Sequence, residues 1–122
     1  MQIILDNSNS KHHLTHYKVG QFTVDGQILT HSILINKDVC KLWAPQSFSE
    51  LKAADLNAIV DLEPEVILLG TGEKQIFAKG ELYQAIINLK IAVEIMDTAA
   101  ACRTLQVLQA ENRRVSAALI VR

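Results

Sequence analysis

The chain has 122 residues, 49% of them hydrophobic and 20% charged, and its 12 basic and 13 acidic side chains leave a formal net charge of −1. That length suits one domain over residues 1–122, with a core that needs neither disulfides nor metal. Near-neutral charge argues against a general binder of nucleic acid or of anionic membrane. Two cysteines, Cys40 and Cys102, are too few for a secreted disulfide scaffold.

The opening Met1-Gln2-Ile3-Ile4-Leu5 has neither the basic start nor the apolar stretch of a secretory signal. The longest apolar runs, such as Ala117 to Val121, fall far short of the ~20 residues of a membrane span. The expectation is a cytoplasmic protein with reduced thiols and no transmembrane segment, in which residues 1–13 form an N-terminal arm or loop.

Segments rich in β-formers follow: His16 to Val19, Gln21 to Val24, Gln27 to Ile35 and Val39 to Trp43. Asp25-Gly26 is a two-residue hairpin signal, because a type I′ turn needs positive φ at both central positions. Asn36-Lys37-Asp38 reads as a second turn, so the first third is an antiparallel meander. After Pro45 the period becomes helical. Ser47-Phe48-Ser49-Glu50 has capping-box spacing, although Ala53-Ala54-Asp55 is an alternative start. Leu56, Ile59, Val60 and Leu62 give an apolar stripe that Pro64 ends.

Val66 to Leu69 is a continuous apolar run ending in Gly70-Thr71-Gly72, the pattern of a buried parallel strand. A helix is predicted over Glu81 to Asn88 and a buried strand over Ile91 to Met96. Asp97 or Thr98 then caps a helix running through Ala110, with Asn112 as a left-handed cap. Val115 to Val121 is the last strand. The predicted fold is α/β: a single three-layer domain whose mixed central β-sheet has parallel βαβ units and an N-terminal antiparallel meander. An unpaired meander edge would offer a route to a homodimer.

Two β-to-α junctions are candidates for chemistry, since ligands of open α/β sheets bind beyond the carboxyl ends of parallel strands. If the two strands are neighbours, Gly70, Thr71, Gly72 and Glu73 face Met96, Asp97 and Thr98 across one crevice. Arg103, in the second turn of the following helix, reaches back toward it as a bidentate holder of carboxylate or phosphate. The plainer reading is a tight turn, a helix cap and an arginine paired with Glu73 or Asp97. The glycine spacing matches neither a dinucleotide fingerprint nor a phosphate loop.

His12-His13-x-x-His16 reads as a solvated arm rather than a metal site, because adjacent residues of a strand point to opposite faces. Cys102, Leu105 and Leu108 share one helix face, so Cys102 reads as packing rather than as a nucleophile. Trp43 and Phe48 read as core. No catalytic set, cofactor motif or metal constellation emerges.

Pro64-Glu65-Val66-Ile67-Leu68-Leu69-Gly70-Thr71-Gly72-Glu73-Lys74-Gln75, with Val93-Glu94-Ile95-Met96-Asp97-Thr98-Ala99-Ala100-Ala101-Cys102-Arg103-Thr104, resembles a family of small proteins of unknown function. Its members include the mitochondrial complex I assembly factor 3 and an adipogenesis-associated relative. The ending Glu111-Asn112-Arg113-Arg114-Val115-Ser116-Ala117-Ala118-Leu119 is similar to the bacterial branch. The family's recurring positions map to Gly70, Thr71, Gly72, Met96, Thr98, Cys102, Thr104 and Arg113. Gln106 stands where bacterial relatives usually carry asparagine, and Asn112 where they carry glycine. The resemblance implies a three-layer α/β fold. It also implies a non-enzymatic binding or assembly factor without cofactor, with respiratory-complex subunits as partners. The alternative is a small-molecule or anion site at the crevice.

Overall fold

The structure, a computed structural model, describes residues 12–122; of the arm expected over residues 1–13, residues 1–11 lie outside them. Strands β1 (Leu14–Lys18), β2 (Gln21–Val24) and β3 (Gln27–Leu29) form a three-stranded antiparallel sheet. The β2–β3 turn has Asp25 at φ 52° and Gly26 at φ 81°, the positive pair a type I′ turn requires.

The β-rich stretch from Gln27 to Ile35 is not one strand. It breaks after Leu29, and the chain crosses to a second sheet as β4 (Ile33–Ile35). The crossing is held by Ser32, which is wholly buried. Its hydroxyl accepts from Val121 N (2.9 Å), its N–H donates to Gln46 Oε1 (3.1 Å), and its carbonyl accepts from Trp43 N (2.9 Å). With every polar group of Ser32 met in this way, a change of sheet costs no unpaired backbone.

The second sheet has the order β5-β4-β8-β6-β7, with β5 at Cys40–Leu42, β6 at Val66–Gly70, β7 at Ala92–Met96 and β8 at Val115–Leu119. β4 pairs antiparallel with β5 and β8, while β6 runs parallel to both β7 and β8. Alternation along the central strands supplies two cores. Val115, Ala117 and Leu119 pack with Val66 and Leu68 beneath the three-stranded sheet and α3 (Thr98–Ala110). Ala118, Ile120, Ile67 and Leu69 pack on the other face beneath α1 (Asn57–Val60) and α2 (Gly80–Asn88). This is the expected three-layer α/β arrangement with a mixed central sheet, and its parallel pairs lie among β6, β7 and β8.

Two local expectations are corrected. The Ser47–Glu50 spacing gives only one 3₁₀ turn over Phe48–Glu50: Ser47 Oγ contacts Ser49 Oγ (3.0 Å) and Glu50 Oε1 accepts from Gln46 N (3.0 Å), so no capping box closes. The later start is the one used. Asp55 Oδ2 accepts from Lys52 N (2.9 Å), and a 3₁₀ segment over Ala53–Leu56 continues into α1. The second correction concerns β7, which is an edge strand with Ala92 and Glu94 exposed rather than a buried one. Its apolar residues, half-buried, cover only the flank of the sheet. Trp43 is buried as expected, and its indole N–H donates to Asp55 O (3.0 Å).

Candidate functional site

β6 and β7 are parallel neighbours, with Gly70 opposite Met96, so the two β-to-α loops do meet. Thr71 N donates to Met96 O (2.9 Å) and Thr98 N donates to Gly72 O (2.9 Å). The Thr98 hydroxyl accepts from Gly72 N (2.8 Å) and donates to Ile120 O (2.7 Å), tying both loops to the end of β8. The Thr71 hydroxyl donates to Lys74 O (2.5 Å) and accepts from Ile76 N (3.3 Å), closing its own loop.

Both threonines are buried. A Cβ at Gly70 would sit 2.8 Å from Thr98 Oγ1. At Gly72, φ is +103° and a Cβ would collide with the Arg122 carbonyl. These glycines are required by close backbone approach, and the polar groups between the loops are spent on one another.

Three of the expected residues remain at the surface. Asp97 Oδ1 accepts from Ala100 N (2.8 Å) as the cap of α3, leaving the side chain half-buried. Glu73 and Arg103 are exposed. Arg103 forms no ion pair with Glu73, Asp97 or any other carboxylate among the described residues.

Arg103 instead borders a cavity of about 260 Å³ between β1 and α3, lined with Leu14, His16, Tyr17, Ala99, Cys102 and Gln106 among others. Gln106 Nε2 donates to Leu14 O (2.7 Å) and fastens α3 to β1. Tyr17 donates to Val121 O (3.2 Å). Burial, followed by the Cys102 thiol and the Glu73 and Asp97 carboxylates, pushes its phenol up to about 12.

Cys102 is buried beside Ala101 and Leu105, as its helix face requires. Burial pushes its thiol up to about 12; the guanidinium of Arg103 pulls the other way without prevailing, and Asp97 raises it further. A thiol in that state supplies no nucleophile at neutral pH.

The histidine cluster departs from the solvated-arm expectation. His13 is exposed but His12 is buried, so the opposite-face rule holds while the solvation does not. His12 Nδ1 meets Asp25 Oδ2 at 2.6 Å, and Asp25 Oδ1 accepts from His13 N (2.8 Å). The partner comes from the hairpin turn 13 residues away, and spacing within residues 12–16 carries no sign of it. Among the described residues, no group of three His, Cys, Asp or Glu side chains is placed to hold a metal ion.

The architecture is that of a small mixed α/β domain whose strand ends are sealed by their own loops. The chain belongs to the family described as a protein of unknown function (DUF498/DUF598), whose pattern matches residues 14–120. A protein called the 13 kDa major membrane protein, from Francisella tularensis subsp. holarctica, is 39% identical over 106 residues, covering 85% of this chain and 86% of its own length. Assembly factor 3 of the NADH dehydrogenase (ubiquinone) 1 alpha subcomplex from Danio rerio is 31% identical over 106 residues. That match covers 85% of this chain but only 61% of the assembly factor.

Among solved structures, a Xanthomonas campestris protein superposes with a TM-score of 0.80 at 37% identity, covering 93% of this chain and 86% of its own. A Bordetella pertussis protein described as a Mth938-like domain gives 0.78 at 27% identity, covering 99% and 92%. No helix among the described residues is long and apolar enough to cross a membrane.

Proposed function

We propose that this chain is a non-enzymatic binding protein that docks a protein partner, from the cytoplasmic side of a membrane, in the assembly of a respiratory complex. The observation that carries this reading is a run of apolar side chains left in water between β6 and the end of α2. Phe77 is 73% exposed, Ile76 precedes it at 40%, and Tyr83 and Ile87, one turn apart on α2, are 48% and 50% exposed. Aromatic side chains left exposed are frequent anchors of an interface.

The relatives' names support the same direction, one being an assembly factor of NADH dehydrogenase and another a membrane protein. We extend the contact to Glu73 and Asp97, on the two loops that Gly70, Thr71, Gly72, Met96 and Thr98 hold in register, and to Arg103 on α3. The test is affinity capture from detergent-solubilised membranes of the native host, with wild type beside Arg103→Glu. Respiratory-complex subunits recovered by the wild type and lost in the variant support the reading. A bait that repeatedly brings down nothing, or only a second copy of itself, counts against it.

A second reading rests on the β1–α3 cavity. An arginine with no acidic partner among the described residues, beside about 260 Å³ of space, is suited to a small anion. It expects native mass spectrometry to find a retained small molecule that Arg103→Ala releases. A clean mass for the wild type removes it.

A further inference from the structure

The two sheets of the described residues end in four edge strands, β1, β3, β5 and β7, and three of these are blunted. β3 and β5 are only three residues long. β1 shifts register between Leu14 and His16, and Gln106 of α3 caps its Leu14 carbonyl (2.7 Å). Short strands, irregular register and a covering helix are devices by which sheets avoid pairing with a foreign strand. The remaining edge, β7, has none of them. It keeps five residues in unbroken register with β6 and contains neither Pro nor Gly.

The ladder fixes which groups point outward. Met96 O accepts from Thr71 N (2.9 Å), so the backbone of Met96 turns toward β6. The N–H and C=O of one residue share a side, and the sides alternate along a strand. Ala92 and Glu94 therefore also face β6, while Val93 and Ile95 turn both groups outward. Neither of the two has a backbone partner on that side among the described residues. The described chain begins far from this edge, where His12 N donates to Lys37 O in the turn between β4 and β5.

Side chains define what such an edge accepts. Val93 and Ile95 are half-buried and pack on the core beneath α2, so apolar residues opposite them extend that layer. Glu94 lies on the other face and is exposed. From Ile91 to Cys102 the chain carries two carboxylates, Glu94 and Asp97, and no Lys or Arg. Lys90 stands before the strand, in a left-handed turn at φ 57°. A second copy fits this edge badly. The antiparallel register that overlaps all of β7 sets Glu94 directly opposite Glu94 of the second copy, at a position where Cα atoms approach to ~4.5 Å. Like charges there are destabilising, whereas a cation is favourable.

We propose that the outer edge of β7 receives an extended segment of a partner protein as a sixth strand, with apolar residues opposite Val93 and Ile95 and a Lys or Arg opposite Glu94. This goes beyond the docking surface proposed above. It uses none of the Phe77 run, so either contact can fail while the other stands.

The experiment is an NMR titration of the isotope-labelled full chain with the end-blocked peptide Ser-Thr-Val-Lys-Val-Thr-Ser and with its counterpart carrying Glu in place of Lys. In the free chain the amides of Val93 and Ile95 should exchange with solvent faster than those of Glu94 and Met96. The lysine peptide should shift the Val93 and Ile95 amides saturably and slow their exchange. The glutamate peptide should bind about fivefold more weakly, the worth of a cross-strand charge pair. Glu94→Lys, at an exposed position, keeps the fold and should invert the order of the two peptides. The lysine peptide N-methylated at both valines keeps its charge and apolar surface but cannot extend the ladder, and should not bind. Slow exchange of Val93 and Ile95 in the free chain means that the edge is already occupied and overturns the proposal. Shifts that never saturate, equal binding of the N-methylated peptide, or an unchanged preference in Glu94→Lys also overturn it. So does a wild-type dimer in sedimentation equilibrium that protects the same two amides, since a second copy is then the occupant.

Discussion

Thr98→Val exchanges a hydroxyl for a methyl of similar size at a wholly buried position. In the native chain that hydroxyl accepts from Gly72 N (2.8 Å) and donates to Ile120 O (2.7 Å). The valine leaves both backbone groups facing a methyl in a site with no room to rearrange, because Gly70 already packs on Thr98 Cα. An unsatisfied buried group costs about 1–3 kcal/mol, so two give roughly 2–6 kcal/mol. Unfolding entropy near 2.1 cal/mol/K per residue puts ~4 °C on each kcal/mol at this length, or about 8–24 °C in Tm. Thr98→Ser keeps both hydrogen bonds and loses only a methyl, about 1 kcal/mol. Thermal and urea unfolding followed by circular dichroism measures all three chains. If valine is as stable as serine, the hydroxyl does not join the two loops to β8, and the description of the strand ends as sealed is wrong.

Three further outcomes follow from the same contacts. Cys40 and Cys102 are buried, and burial first of all pushes both thiols up to about 12. An aromatic disulfide reagent at neutral pH should therefore label the native protein only at its opening rate; fast labelling of either thiol contradicts this. For Asp25, burial alone would raise the carboxyl, but the bond from His12, then that from His13 N–H, outweighs burial and holds it below 3.8. Its stabilising contribution is therefore complete above that value and is lost as pH falls through the lower folded-state value. Asp25→Asn, which tolerates the same positive φ, should flatten the acid limb of stability in urea titrations and leave the fold intact. An unchanged acid limb refutes the pairing. Phe77→Ser, at a 73% exposed position, should change stability by less than about 0.5 kcal/mol. A large loss would mean that Phe77 packs rather than waits for a partner.

Much of the fold was legible because local chemistry and tertiary position agree. Asp25-Gly26, Asp97 and Asn112 each behave as their type demands, with Asn112 at φ 62° closing α3. The apolar run at β6 announced a central parallel strand, and its neighbour β7 was adjacent as the crevice required. Two features were hidden because each depends on a residue distant in sequence, and a third because spacing does not say what a polar group faces. The break at Ser32 is satisfied by Val121, Gln46 and Trp43, and without them Gln27 to Ile35 reads as one strand. The burial of His12 depends on Asp25. At the crevice, residue types pointed correctly to two loops meeting, but spacing carries no information on whether polar groups face a ligand or one another. Thr71 and Thr98 face the backbone, while Arg103 faces open space.

Position-specific photo-crosslinking tests the partner-docking reading most directly. A photoreactive residue replaces Phe77 in one chain and Val107 in another, two exposed apolar positions, the first in the loop before α2 and the second on α3. Each chain is expressed in the native host, irradiated and analysed by mass spectrometry. Adducts with respiratory-complex subunits are expected from position 77 and not from position 107, reduced when Arg103→Glu is added. The same adducts from both positions, or none from position 77, would contradict the docking reading.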